Sequence, residues 1–238
     1  FLGACYVSAN AQVKFSIDPR IGLTVSSGQI KKGYRKQEFK YPIRNIYSTS
    51  YDYSIGVHAL YKDRWNGAFR IGTYQTIMAF ENEFPISGSA GFGNGFSMTY
   101  LKLHTEYTFY KKQFPNSSLR NWGFSLQGEL ALGYDYDHYF YKHIKSKDLN
   151  NMRLNNSYFI EDIKVHQTKP GQGSLALGVN AQLTHKGKRR LKIGALFNYV
   201  PSNAAYFEVT YYDRRTDEVI NYFQAYGSKY WMTFYASY

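Results

Sequence analysis

Residues Val13 to Val25 read VKFSIDPRIGLTV, and the alternation in this stretch decides the fold. The odd positions, Val13, Phe15, Ile17, Pro19, Ile21, Leu23 and Val25, are all apolar. The even positions, Lys14, Ser16, Asp18, Arg20, Gly22 and Thr24, are polar, charged or glycine. A period of two puts successive side chains on opposite faces of a β-strand, one oily and one wet. Whether the oily face meets a protein core or a lipid bilayer determines the class of protein.

The pattern recurs seven times. It appears in YDYSIGVHALY (51–61), WNGAFRIGTYQ (65–75), YLKLHTEYTFY (100–110) and WGFSLQGELALGYDY (122–136). It returns in SLALGVNAQLTH (174–185), RLKIGALFNYV (190–200) and SKYWMTFYASY (228–238), which makes eight strands. Short polar links join the second strand to the third, the fourth to the fifth and the sixth to the seventh, while long segments make the other connections. An even strand number with short turns at one end and long connections at the other is the arrangement of an antiparallel up-and-down transmembrane β-barrel. Each strand has about the 9–11 residues a tilted strand needs to cross a bilayer.

Three features set the oily face toward lipid. Aromatic residues cluster at both strand ends, with Tyr61, Trp65, Phe109, Trp122 and Tyr238 at the short-turn end. Tyr51, Tyr53, Tyr134, Tyr136, Tyr199 and Tyr230 lie at the other, as expected of two membrane–water interfaces. The wet face carries Gly56, Gly72, Gly133, Ala176, Gly178 and Gly194, and a narrow eight-stranded lumen needs such small residues between its large ones. The final strand places Tyr230, Met232, Phe234 and Tyr238 on one face. Pro19, unable to donate a ladder hydrogen bond, predicts a bulge or a missing bond in a closed barrel.

These strands, girdles and aromatic C-terminus resemble the small outer-membrane β-barrels of the OmpX and OmpA-barrel class over roughly Val13 to Tyr238. The resemblance implies an outer-membrane location with both termini periplasmic. It also implies that Tyr230, Phe234 and Tyr238 form a signal read by the barrel-assembly machinery. The tyrosine richness, 25 of 238 residues, and the ANAQ sequence resemble secreted proteins of Bacteroidota.

The first residues, FLGACYVSANAQ, read as the end of a secretion signal with an A-x-A site at Ala9 to Ala11. Residues 1–11 are thus a signal-peptide remnant and 12–238 a single barrel domain. Two other readings stay open: a lipobox-like Leu2-Gly3-Ala4-Cys5, and an uncleaved arm. The only cysteine lies here, so the rest of the chain has no thiol chemistry.

At mid-depth the wet face is charged. Asp18, Arg20, Arg70, Lys102, Glu106, Glu129 and Lys192 are expected to pair as an ion network filling the lumen, since buried charges need partners. His104, Gln127, Asn180 and Gln182 share that depth. Net charge is +12, which suits acidic lipids or acidic proteins; nucleic acid is not expected without a recognition motif. The first long connection concentrates the charge in Lys31, Lys32, Arg35, Lys36, Lys40 and Arg44, interleaved with Tyr34 and Phe39. It is either a solvated loop or a surface for lipopolysaccharide phosphates or an acidic protein partner. ISGSAGFGNG (86–95) lacks the Lys-Ser/Thr ending of a phosphate loop and reads as a flexible or tightly turning segment. The third and fourth connections have β-rich arms, and together suggest a protruding, Tyr-studded sheet. The fourth reads as strands seven and eight continuing as a hairpin past the membrane.

No catalytic residue, metal site or cofactor is expected. None of the six histidines begins a His-x-Ser pattern, and His138, His143 and His166 are too loosely spaced for a metal site. The leading reading is a non-enzymatic outer-membrane barrel acting through its extracellular connections, as an accessory subunit or a surface-binding protein. The alternative is a lipid A-modifying enzyme on the same fold, and a soluble barrel holding an apolar ligand is a third.

Overall fold

The computed structural model describes residues 14–32, 43–61, 64–84, 88–114, 121–137, 151–155, 159–167, 171–203 and 205–238. In chain order the strands are β1 Lys14–Ser27, β2 Gln29–Lys32, β3 Ile43–Tyr61, β4 Trp65–Phe84, β5 Gly88–Gln113, β6 Trp122–Asp137 and β7 Asn151–Asn155. There follow β8 Phe159–Gln167, β9 Gly171–His185, β10 Lys188–Tyr199, β11 Ala205–Asp213, β12 Val219–Tyr226 and β13 Tyr230–Ser237.

Eight of these close an antiparallel barrel in the order β1-β13-β10-β9-β6-β5-β4-β3. Pairing rows followed from Arg20 in the two directions reach β9 at Gln182 and at Gln172, ten residues apart. That stagger tilts the strands and leaves a lumen only wide enough for side chains.

The apolar residues point outward. Phe15, Ile17, Ile21 and Leu23 of the opening stretch are exposed, whereas Asp18, Arg20 and Thr24 are buried. Around the circumference Ile55, Phe69, Leu103, Leu132, Val179, Ile193 and Phe234 are all about half exposed or more. A continuous apolar belt of this size is costly in water and stable in hydrocarbon. The barrel is built to stand in a membrane. Exposed Trp65, Phe109 and Tyr238 rim the belt at the short-turn end, and Tyr51, Tyr53, Tyr134 and Tyr230 at the other. On β5 the register shifts between Thr108 and Tyr110, so Phe109 and Tyr110 both face out.

Two expectations are corrected, and a third is met in one of its two forms. Pro19 makes no bulge but does lack a partner on one side: β1 runs in unbroken register with β3 from Lys14 to Ser27, while its pairing with β13 begins only at Arg20. Pro19 therefore lies just beyond the end of β13, on a short open stretch of edge where a donor is dispensable. The glycine-rich stretch is not a turning segment either. Gly88 to Gly95 pair regularly with Phe84 to Ile77, extending β4 and β5 well past the barrel rows. Finally, β11 and β12 do not continue the barrel strands but join a separate sheet.

That second sheet has the order β2-β12-β11-β8-β7. All five strands come from connections at the end opposite the short turns. On one face, Phe207, Val209 and Tyr211 of β11 and Asn221, Phe223 and Ala225 of β12 are buried.

Candidate functional site: a filled lumen and a second sheet

The inward rows of the eight strands bring the charged residues together. Asp18, Arg20, Arg70, Lys102, Glu106, Glu129 and Lys192 are all buried. Arg20 is the hub, donating from Nη1 to Glu129 at 2.8 Å and from Nη2 to Glu106 at 3.1 Å. Its guanidinium also lies 4.0 Å over the Tyr235 ring. Lys192 pairs with Glu106 and Arg70 with Asp18. Asp18 accepts from His58 at 2.7 Å and pairs with Arg189 at 2.7 Å, the latter at the rim. Glu129 accepts from His104 Nδ1 at 2.6 Å and from the Tyr235 hydroxyl at 2.5 Å.

Toward the other end the lumen closes with aromatic rings. Tyr74 stacks on Trp231 at 5.1 Å and contacts Tyr100 at 6.0 Å. Asp135 accepts from Tyr74 at 2.9 Å and from Ser174 at 2.7 Å. Lys102 belongs to this upper cluster rather than to the ion floor: it donates to Asn198 at 3.3 Å, lies 4.6 Å over the Tyr100 ring and is 3.9 Å from Asp135. Tyr100 donates to Asp52 at 2.9 Å. Among the described residues Arg20, Arg70, Arg189, Lys102 and Lys192 thus face Asp18, Asp52, Glu106, Glu129 and Asp135, equal in number.

Sequence reasoning missed Arg189, His58, Asp52 and the inward rings of Tyr74, Tyr100, Trp231 and Tyr235, and it set Asp135 on the wet face without assigning it to the ion network. For those on strands the signal was available. Once Tyr230 and Phe234 face lipid, Trp231 and Tyr235 must face in, and once Tyr51 and Ile55 face lipid, so must Asp52 and His58.

The second sheet carries a polar, aromatic face. Register places Gln29, Tyr226, Tyr206 and His166 in one row across β2, β12, β11 and β8. The His166 and Tyr206 rings stack at 4.7 Å, and those of Tyr206 and Tyr226 at 5.0 Å. In the next row lie Lys31, Gln224, Glu208, Lys164 and Asn151. Glu208 accepts from Tyr222 and, at 2.9 Å, from His166. Burial pushes the Glu208 carboxyl up, but the bonds from Tyr222 and His166 outweigh it and hold the group below its usual 4.5. Burial and the same carboxylate push the Tyr222 hydroxyl up to about 12.

Of the expected basic surface, Lys31 and Lys32 sit in β2, an edge strand of this sheet, and Arg44 in β3, opposite Glu81. Tyr34, Arg35, Lys36, Phe39 and Lys40 lie outside the described residues, as do His138, His143 and the signal-like segment 1–11. Among the described residues no group of three or more His, Cys, Asp or Glu is arranged to hold a metal.

No family model matches the chain, and no curated protein does. The chain is similar in course to three solved barrels. The outer membrane protein OprG from Pseudomonas aeruginosa is 11% identical with a TM-score of 0.43, over 93% of this chain and 94% of that one. Neisserial surface protein A is also 11% identical, with a TM-score of 0.32 over 94% and 97%. The β-domain of the Bordetella autotransporter BrkA is 9% identical, with a TM-score of 0.22 over 93% and 98%.

Proposed function

We propose that this chain is an outer-membrane β-barrel without catalytic function that works through the end carrying the second sheet. In this reading that end is extracellular, both termini are periplasmic, and the protein is an accessory subunit of an outer-membrane complex or a surface-binding protein. One observation carries the reading: the lumen is filled by paired charges and stacked rings, so the surface left to do work is the elaborated sheet. Its Tyr206–Tyr226–His166 row and the edge strand bearing Lys31 and Lys32 supply the aromatic and cationic groups that enrich protein and lipid-headgroup contacts. The basic segment that follows β2 fits phosphates of lipopolysaccharide or an acidic partner. Tagged protein extracted from its own outer membrane in mild detergent tests the proposal. A stoichiometric protein partner supports the subunit role, and a lone barrel retaining lipopolysaccharide supports surface binding. A barrel that carries neither, but alters the acyl or sugar pattern of lipid A when expressed, would overturn it.

A further inference from the structure

Between the ion floor and the aromatic ceiling the lumen holds a small chamber of about 20 Å³, lined among others by Arg20, Arg70, Tyr100, Lys102, His104 and Ala176. Three of its lining residues keep a buried polar atom without a hydrogen-bond partner: Arg20 Nε, Arg70 Nε and His104 Nε2. Arg20 Nε is 3.6 Å from Asp18, too long for a hydrogen bond. The guanidinium nitrogens can only donate. His104 donates from Nδ1 to Glu129, so in its neutral form Nε2 is an acceptor.

We propose that this chamber is a binding site for a single water molecule bridging the three residues. Water matches two donors and one acceptor at once, since its oxygen takes the two Nε–H groups and one of its hydrogens reaches His104 Nε2. The volume suits it, since a buried water needs roughly 10–15 Å³ and two to four polar partners. Charge argues against an anion, because among the described residues five lumen cations already face five carboxylates and a sixth negative charge would be unmatched. The bridge has a structural consequence. Arg70 belongs to the Asp18–His58 group, and Arg20 and His104 to the Glu129 group. Arg20 already pairs with Asp18 across the two groups at 3.6 Å, and the water adds a hydrogen-bonded link beside that ion pair.

The test is a high-resolution crystal structure of the full chain grown from sodium bromide, with anomalous data. The expected result is one non-anomalous peak within 2.7–3.2 Å of Arg20 Nε, Arg70 Nε and His104 Nε2, a normal hydrogen-bond range. An anomalous bromide peak would overturn the proposal in favour of an anion site, and a chamber without density would overturn it outright. Solution data supply a second reading that needs no crystal. Water-oxygen relaxation dispersion on wild-type and Ala176→Val protein should show one long-lived water fewer in the variant, whose added methyl groups enter the chamber. An unchanged count in a folded variant would contradict the assignment.

Discussion

Glu129→Leu is the sharpest probe of the lumen. The Glu129 side chain is fully buried and receives Arg20, His104 and the Tyr235 hydroxyl. Removing one partner of a buried ion pair costs roughly 3–5 kcal/mol, because the other charge stays buried. Stranding a neutral donor such as the Tyr235 hydroxyl adds roughly 1–3 kcal/mol. Arg20 keeps Glu106 at 3.1 Å, which recovers part of the first figure. The net expectation is a loss of about 5 kcal/mol, roughly three to four powers of ten in the folding equilibrium. Arg215→Ala, at the exposed turn between β11 and β12, should stay within about 0.5 kcal/mol of wild type. Urea unfolding in lipid vesicles, followed by heat-modifiable gel mobility and tryptophan fluorescence, measures both. The double variant Arg20→Met, Glu129→Leu should lose less than the sum of its two single variants, since neither charge is then stranded. Equal stability of Glu129→Leu and Arg215→Ala, or strict additivity in the double variant, would refute the network.

Other outcomes follow from local geometry. A Cβ at Gly72 would stand 2.5 Å from the Tyr100 ring and from Ser54, so Gly72→Val should cost about 2 kcal/mol in the same unfolding assay. Gly67→Val, on the same strand with nothing within 4 Å, should cost much less. Leu103→Arg places a charge on the outer wall and should lower stability in vesicles by roughly 2–4 kcal/mol; a water-facing position would tolerate it. Glu208 has a folded-state pKa below its unfolded value, so its contribution to the second sheet is present above pH 4.5 and is lost as pH falls further. Amide protection factors of β11 and β12, corrected for the intrinsic exchange rate at each pH, should therefore fall below pH 4.5 in wild type, and Tyr222→Phe should shrink that pH dependence.

The barrel was legible because its signal is local: eight strands alternate with a period of two, and the aromatic positions identify the outward face. Lumen charges on those strands could be placed by the same parity. The strand extensions were not, since Gly88 to Gly95 hold their place through backbone pairing to β4 and carry no alternation. Nor was the point where β13 stops pairing with β1, which decides that Pro19 shows the missing partner and not the bulge. The second sheet was legible in part: the β-rich arms of the third and fourth connections pointed to it, but the addition of β2 did not, since non-local pairing of that kind leaves no periodic trace. Lys31 aligns with Gln224 and Glu208 with Lys164 only once the chain has closed the barrel between them.

The inside-out polarity of the barrel is tested most directly by labelling its outer wall. With Cys5 replaced by Ser, single cysteines at Ile21, Ile55, Leu103, Val179 and Phe234 sample five strands around the circumference. Each would carry an environment-sensitive fluorophore in protein folded into vesicles. Brominated acyl chains should quench all five and aqueous iodide none, while a label at Lys186 or Arg215 in the turns should show the reverse. Iodide quenching on the outer wall with no effect of brominated lipid would mean that the apolar belt does not face a membrane.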